Sequence, residues 1–271
     1  MAEPQVQHDS RWLPDMEFIT QELQKQDPTL LSVGIALIVV VLSFVLWKIL
    51  RGSRTSRRAV LLIGVCDSGK TLLFNRLLTG TYKKTQTSIT ANCAAYKVKN
   101  DKGSSLTLVD LPGHESLRLQ FLEQYKASAS IIYICFRALL FVVDSSAFQR
   151  EVKEVAELFY QLLTDVAILK NVPPILIACN KQDISMAKSA KLIQQQLEKE
   201  LNTLRVTRSA APSILESGNS GVTQLGKKGK DFDFTQLPMK VKFLECSTRD
   251  SKEEDGDANI SNVEGWLAKL V

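Results

Sequence analysis

Eight consecutive residues limit what this 271-residue chain can fold into. Gly64, Val65, Cys66, Asp67, Ser68, Gly69, Lys70 and Thr71 fit the pattern GxxxxGK[ST], between an apolar run at 60–63 and a helix-like stretch over 72–78. Glycines at the two fixed places let backbone N–H groups converge on phosphate oxygens at a helix N-terminus, where the helix dipole favours an anion. Lys70 adds a point charge for the β- and γ-phosphates, and the Thr71 hydroxyl is a ligand for Mg²⁺. Average composition produces such a match by chance about one time in a hundred at this length, and the strand-before, helix-after context lowers that further. These eight residues, with Leu72 at the start of the helix, are expected to contact the phosphates of a nucleotide.

The chain from residue 59 onward repeats the same strand–loop–helix grammar. Apolar runs at 60–63, 106–109, 139–143, 175–179 and 241–244 are short and bounded by polar or turn residues, as strands buried on both faces are. Residues 94–99 alternate and suit an edge strand. Leu192, Ile193, Leu197, Leu201 and Leu204 mark one helix face, and Ile260, Val263, Leu267 and Leu270 mark another. Strands alternating with helices predict an α/β fold: a mostly parallel, six-stranded sheet flanked by helices, with ligands at the carboxyl ends of the strands. Residues 207–230 are rich in Ser, Gly, Ala and Lys without periodicity, so a long mobile insertion is expected over about 207–236. Residues 130–136 (SIIYICF) add an apolar stretch before the expected central strand at Ala138. Whether they extend a helix, bulge from the sheet or form an exposed patch stays open, and with it the place of Asp144.

Two further motifs follow strand-like runs. Asp110, Leu111, Pro112 and Gly113 end the run at 106–109, where a carboxylate can join the Mg²⁺ shell through water and the Gly113 N–H can approach a γ-phosphate. Asn180, Lys181, Gln182 and Asp183 end the run at 175–179. The Asp183 carboxylate can accept from N1–H and the exocyclic amine of guanine together, a donor pair adenine lacks, while Asn180 and Lys181 brace the loop and cover the base. Five cysteines (Cys66, Cys93, Cys135, Cys179, Cys246) are an odd number without CxxC spacing, which argues for reduced thiols and against a disulfide framework or zinc site.

The N-terminal part has a different character. Residues 1–28 carry six acids and two bases, residues 48–58 five bases and no acid, and between Asp27 and Lys48 lie twenty uncharged residues rich in Leu, Val and Ile. That is the length of a membrane-spanning helix, with Trp47 and Lys48 suited to the interface. The positive-inside rule then leaves 1–28 lumenal, 29–47 in the membrane, 48–58 as a basic cytosolic linker and 59–271 in the cytosol. From Ala59 on, 27 bases nearly balance 23 acids, and no basic stripe with interleaved aromatics points to direct nucleic-acid specificity.

In this order and spacing, the three motifs resemble the small GTPases of the Ras-like superfamily over residues 59–271. Cys66, Asp67 and Ser68 inside the phosphate loop, the run from Asp110 through Gly113 to His114 and Glu115, the apolar N-terminal stretch and the insertion before the last strand are similar to one branch, the β-subunit family of the signal recognition particle receptor. That resemblance implies GTP or GDP with Mg²⁺ as cofactors. It implies a last guanine-binding loop at Glu245, Cys246, Ser247 and Thr248, with Thr248 where the superfamily usually has Ala. It also implies a switch I segment at Thr85, Gln86, Thr87 and Ser88 that lies against the nucleotide, with Thr87 or Ser88 as the metal-binding hydroxyl. His114 takes the place of the Gln that orients the attacking water, and a partner contact or helix cap is its other reading. No cis arginine finger is identifiable among Arg76, Arg118 and Arg150, so intrinsic hydrolysis should be slow. The implied partner is the α subunit of that receptor, held at the endoplasmic reticulum during co-translational targeting, with the ribosome and translocon as neighbours. Two other readings stand beside a GTP-dependent switch: an anchoring scaffold that binds GTP structurally without cycling, and a P-loop kinase or ATPase, in which Asp183 would have no role.

Overall fold

The computed structural model describes residues 32, 36–44, 59–98, 104–117, 120, 136–210, 225–226, 229–249 and 258–271. The chain divides into two units, residues 1–55 and residues 56–271. In the first, the described residues are helical and exposed; no helix among the described residues is long and apolar enough to cross a membrane. Most of the expected span at 29–47, and all of 1–28 and 48–58, lies outside the described residues, as do 130–135.

In the second unit, β1 (Ala59–Ile63), β2 (Asn92–Lys97), β3 (Ser105–Asp110), β4 (Ala138–Asp144), β5 (Ile175–Asn180) and β6 (Val241–Glu245) form one sheet in the order β2-β3-β1-β4-β5-β6. Only the β2–β3 pairing is antiparallel. Every residue of β4 and β5 is buried, which is why both read as unbroken apolar runs. The strand at Ala138 begins where the sequence places it, so the apolar stretch before it does not displace the sheet. β2 lies at the edge, and its alternating burial reflects one covered face.

Helices cover both faces, and the period of two along each strand sorts the core into two layers. Leu61, Ile63, Leu139, Phe141 and Ile177 pack with α2 (Phe148–Thr164) and α4 (Ala190–Ala210). Val60, Leu62, Leu140, Val142 and Leu176 pack with α1 (Lys70–Thr79) and α5 (Ser261–Ala268). A short helix, α3 (Val166–Asn171), links α2 to β5. The face expected for α4 holds: Ile193, Leu197 and Leu201 are buried, as are Val263 and Leu267 of α5.

The expected insertion over 207–236 needs correction at both ends. At its start α4 continues to Ala210, where Arg208 pairs with Glu157 at 2.7 Å and its guanidinium lies over Tyr160. At its end Leu225, Phe232 and Phe234 are buried, and Phe234 packs on Phe159, Phe232 and Phe243 with ring centroids 5.1–6.0 Å apart. Isolated aromatics anchor a polar segment that composition alone assigns to solvent. Residues 211–224 lie outside the described residues.

Candidate nucleotide-binding site

The site forms at the carboxyl ends of β1, β3 and β5. After β1 the chain turns through Asp67 in a left-handed conformation (φ 57°) and Gly69 (φ 88°), and α1 begins with the Leu73 N–H donating to the Gly69 carbonyl at 2.9 Å. Gly69 is required: a Cβ there would collide with the Asn180 amide. The buried Lys70 ammonium curls back to the Val65 carbonyl at 2.6 Å, and the buried Ser68 hydroxyl donates to the same carbonyl at 2.9 Å. Gly113 lies against this loop so closely that a Cβ would sit 2.7 Å from Lys70 Nζ and 3.0 Å from Cys66 Cα. The segment after β3 can therefore read whatever the phosphate loop holds.

A cavity of about 360 Å³ is lined by Cys66, Asp67, Gly69, Lys70, Thr71 and Leu72 on one side, and by Thr85, Gln86, Thr87, Ser88 and Gly113 on the other. Beside it the Thr71 hydroxyl donates to Asp110 Oδ2 at 2.8 Å, the Ser88 hydroxyl lies 2.8 Å from that of Thr71, and Ser88 reaches the same carboxylate oxygen at 3.4 Å. Of the two hydroxyls left open by the sequence, that of Ser88 is the one against Thr71 and Asp110; Thr87 is exposed. Asp110 is fully buried and its Oδ1 makes no hydrogen bond. Burial pushes its carboxyl above the ordinary carboxylate range, offset in part by the Thr71 hydroxyl and the Lys70 charge. Two hydroxyls beside an unpaired buried carboxylate oxygen fit a hard cation that takes oxygen ligands and keeps part of its water shell.

The base side is built from β5 and the loop after β6. Asn180, fully buried, donates from Nδ2 to the Ser68 carbonyl at 2.9 Å and accepts from the Thr248 N–H at 3.2 Å, tying the phosphate loop to the last loop. Lys181 stands in a left-handed conformation (φ 65°) and its ammonium meets Asp144 Oδ2 at 2.5 Å. Ser247 donates to Asp183 Oδ1 at 2.6 Å, so the carboxylate expected to read guanine is already oriented by the loop expected to close over the base. Arg76 is buried on α1 and donates to the Thr248 carbonyl at 3.2 Å and to the Gly80 carbonyl at 3.1 Å; that commitment removes it as a finger toward the phosphates.

His114 is exposed, lies 3.0 Å from the Ser116 hydroxyl through Nδ1, and is not among the cavity-lining residues. Gly64, Val65 and Ser68 shape the loop from beneath rather than line the cavity. Arg76 and Asp144 are supports that motif spacing does not mark. Asp144 had a signal, a carboxylate at the end of an apolar strand, but its partner Lys181 is 37 residues away and meets it only through the β4–β5 pairing. Among the described residues no group of three or more His, Cys, Asp or Glu side chains could hold a metal, and burial pushes the Cys179 and Cys246 thiols up, the latter to about 12.

A family model described as signal recognition particle receptor beta subunit matches residues 55–241. A Homo sapiens protein named signal recognition particle receptor subunit beta is 65% identical over 258 residues, covering 95% of this chain and 93% of its own. The chain belongs to this family. The sheet order and the three motif loops agree with the Ras-like resemblance read from the sequence. A Dictyostelium discoideum member of the family is 32% identical over 72% of this chain and 64% of its own. Among solved structures, the mammalian signal recognition particle receptor matches at 63% identity with a TM-score of 0.66, over 79% of this chain and 100% of that one. A Chaetomium thermophilum structure described as an SRb-GTP/SRX complex matches at 24% identity and a TM-score of 0.59, over 79% of this chain and 99% of that one, which speaks to the fold alone.

Proposed function

We propose that this chain is the membrane-anchored, GTP-binding subunit of a signal recognition particle receptor, and that its GTP state holds the α subunit at the endoplasmic reticulum during co-translational targeting. The observation that carries the reading is the double closure on Lys70 and Thr71: Ser88 from the segment before β2 and Gly113 from the segment after β3 both meet the phosphate loop. The phosphate loop, with Lys70 and the Gly113 N–H, would hold the phosphates, Asp183 with Ser247 and Thr248 the guanine, and Thr71, Ser88 and, through water, Asp110 the Mg²⁺. Bound Mg²⁺ neutralises charge on the phosphates, and the protein's part is positioning. Removing the γ-phosphate would free both segments at once and relax the surface they share, an order-to-disorder switch.

Intrinsic hydrolysis is slow in this reading, because His114 is turned to Ser116 and Arg76 is committed to the base loop. Residues 29–47 form the anchor, with 1–28 lumenal and the GTPase domain cytosolic beside ribosome and translocon; the charge asymmetry about the uncharged stretch supports this orientation.

The test is the affinity of the full-length chain, loaded with GTP or GDP, for the α subunit. A preference of about tenfold or more for the GTP state is expected, a coupling in the usual range for ligand-driven switches. Equal affinity would sink the switch and favour an anchoring scaffold with structural GTP. An Asp183→Asn variant run alongside should move base preference from guanine to xanthine; if ATP binds the wild-type chain as well as GTP does, the guanine reading fails.

A further inference from the structure

We infer that Asp144 is a positioning residue for base recognition: it holds the Lys181 side chain and, through it, the turn that presents Asp183. The inference rests on the guanine-binding reading above and deepens it. Asp144 closes β4 directly opposite Asn180 at the end of β5. Its Oδ1 accepts from the Ser146 N–H at 2.8 Å, the Ser146 hydroxyl at 2.6 Å and the Ala147 N–H at 3.1 Å, which fixes the carboxylate at the entry to α2. Its Oδ2 is left for one partner, the Lys181 ammonium at 2.5 Å. The Asp144 side chain is 6% exposed and that of Lys181 30%, so the pair is shielded on the carboxylate side while the lysine stem stays part-exposed.

Lys181 needs such a hold. A non-glycine residue at φ 65° is in a conformation that L side chains rarely adopt, and it persists when its surroundings over-determine it. Three further bonds bind the same turn to the residue after Asp144: the Ser145 N–H donates to the Asn180 carbonyl at 3.0 Å, Gln182 Nε2 donates to the Ser145 hydroxyl at 2.9 Å, and the Lys188 N–H donates to the Ser145 carbonyl at 2.9 Å. The turn after β4 is thus a shelf on which the base-reading turn after β5 lies, and the ion pair is its only charged tie among the described residues. A lysine stem fixed at its end by Asp144 would offer a fixed apolar wall for a purine face; released, it would sample many rotamers that must be frozen again at each binding event.

The experiment is a double-mutant cycle on the full-length chain, read as the release rate of a fluorescent GDP analogue. Asp144→Asn keeps an acceptor oxygen for Ser146 and Ala147 but discards the charge that holds Lys181; it should release the nucleotide about tenfold faster, the scale of a lost charge-assisted hydrogen bond. Lys181→Met should also accelerate release, and the double variant should be no faster than Lys181→Met alone. Accelerations that multiply, or an Asp144→Asn variant that releases at the wild-type rate whatever its melting temperature, would overturn the inference while leaving guanine binding intact. A wild-type chain that retains no guanine nucleotide would overturn both.

Discussion

The base side and the switch side of the candidate site meet the phosphate loop with very different support, and the cavity is lined from the switch side and the phosphate loop, not from Asn180, Lys181, Asp183, Ser247 or Thr248. On the base side every polar group expected to meet the base is itself held: Asn180 is fully buried between Ser68 and Thr248, Lys181 is paired with Asp144, Asp183 with Ser247, and Arg76 reaches the Thr248 carbonyl from α1. On the switch side Gln86 and Thr87 are exposed, Ile89 is 73% exposed, and contact with Thr71 and Asp110 comes through the Ser88 hydroxyl. The base-reading half is pre-formed and costs little to organise on binding, whereas the switch half is completed by whatever it binds. The proposed switch, a nucleotide kept while the partner surface changes, calls for that division.

The comparison breaks most severely at Asn180. Replacing it with Ala leaves the Ser68 carbonyl and the Thr248 N–H buried without partners, each a loss of about 1–3 kcal/mol. Asn180→Ala is expected to lower unfolding free energy by about 3 kcal/mol and to abolish co-purification of guanine nucleotide. Denaturant unfolding and nucleotide extraction would check both; a stable variant that still carries nucleotide would show that the base side is not cross-braced through this residue.

On the switch side the expected effects are smaller and confined to metal-dependent behaviour. Ser88→Ala should weaken the Mg²⁺-dependent slowing of nucleotide release by about tenfold, with unfolding free energy within about 0.5 kcal/mol of wild type. Thr87→Ala, from an exposed neighbour, should stay within about twofold in the same assay. Titrating Mg²⁺ against release rate decides the pair, and equal losses would place the metal-facing hydroxyl elsewhere in the segment.

The same division explains what could be read before any coordinates. The phosphate loop, Asp110, Gly113 and the turn from Asn180 to Asp183 follow strands buried on both faces, so a local pattern of apolar run and polar turn places them. α2 also has a sequence signal: Val155, Leu158, Phe159 and Leu162 recur at helical spacing over Phe148–Thr164. That Ser88 rather than Thr87 lies against Thr71 and Asp110 depends on the path of a segment without regular structure rather than on spacing. Phe232 and Phe234 were hidden for a different reason. Each is one aromatic in a polar stretch, and only the shape of the α2 face and β6 gives it a place to go.

The smallest effect tests whether the metal position is kept at the expense of the fold. Asp110 and Asp144 end strands on either side of β1, yet their environments push in opposite directions. Burial pushes both up; for Asp144 the hydrogen bonds from Lys181, Ser146 and Ala147 outweigh it and hold the carboxyl below its ordinary value, whereas for Asp110 burial wins. With the folded value above the unfolded one of about 3.9, native Asp110 binds its proton more readily than the unfolded chain does. Its contribution to stability therefore falls as pH rises from about 3.9 through the raised value. Asp144 has the reverse sign: its contribution is present above about 3.9 and is lost as pH falls through the depressed value. In nucleotide-free, Mg²⁺-free protein, Asp110→Asn should raise unfolding free energy at pH 7 by about 1 kcal/mol and remove that part of the acid-side pH dependence, while Asp144→Asn lowers it. With Mg²⁺ and GTP added, the wild-type chain should regain the lead, because only its carboxylate completes the metal shell. Urea unfolding between pH 4 and 7 with and without Mg²⁺ and GTP separates the cases. An Asp110→Asn variant already less stable without ligand would mean that the buried carboxylate supports the fold, and that the switch side is braced after all.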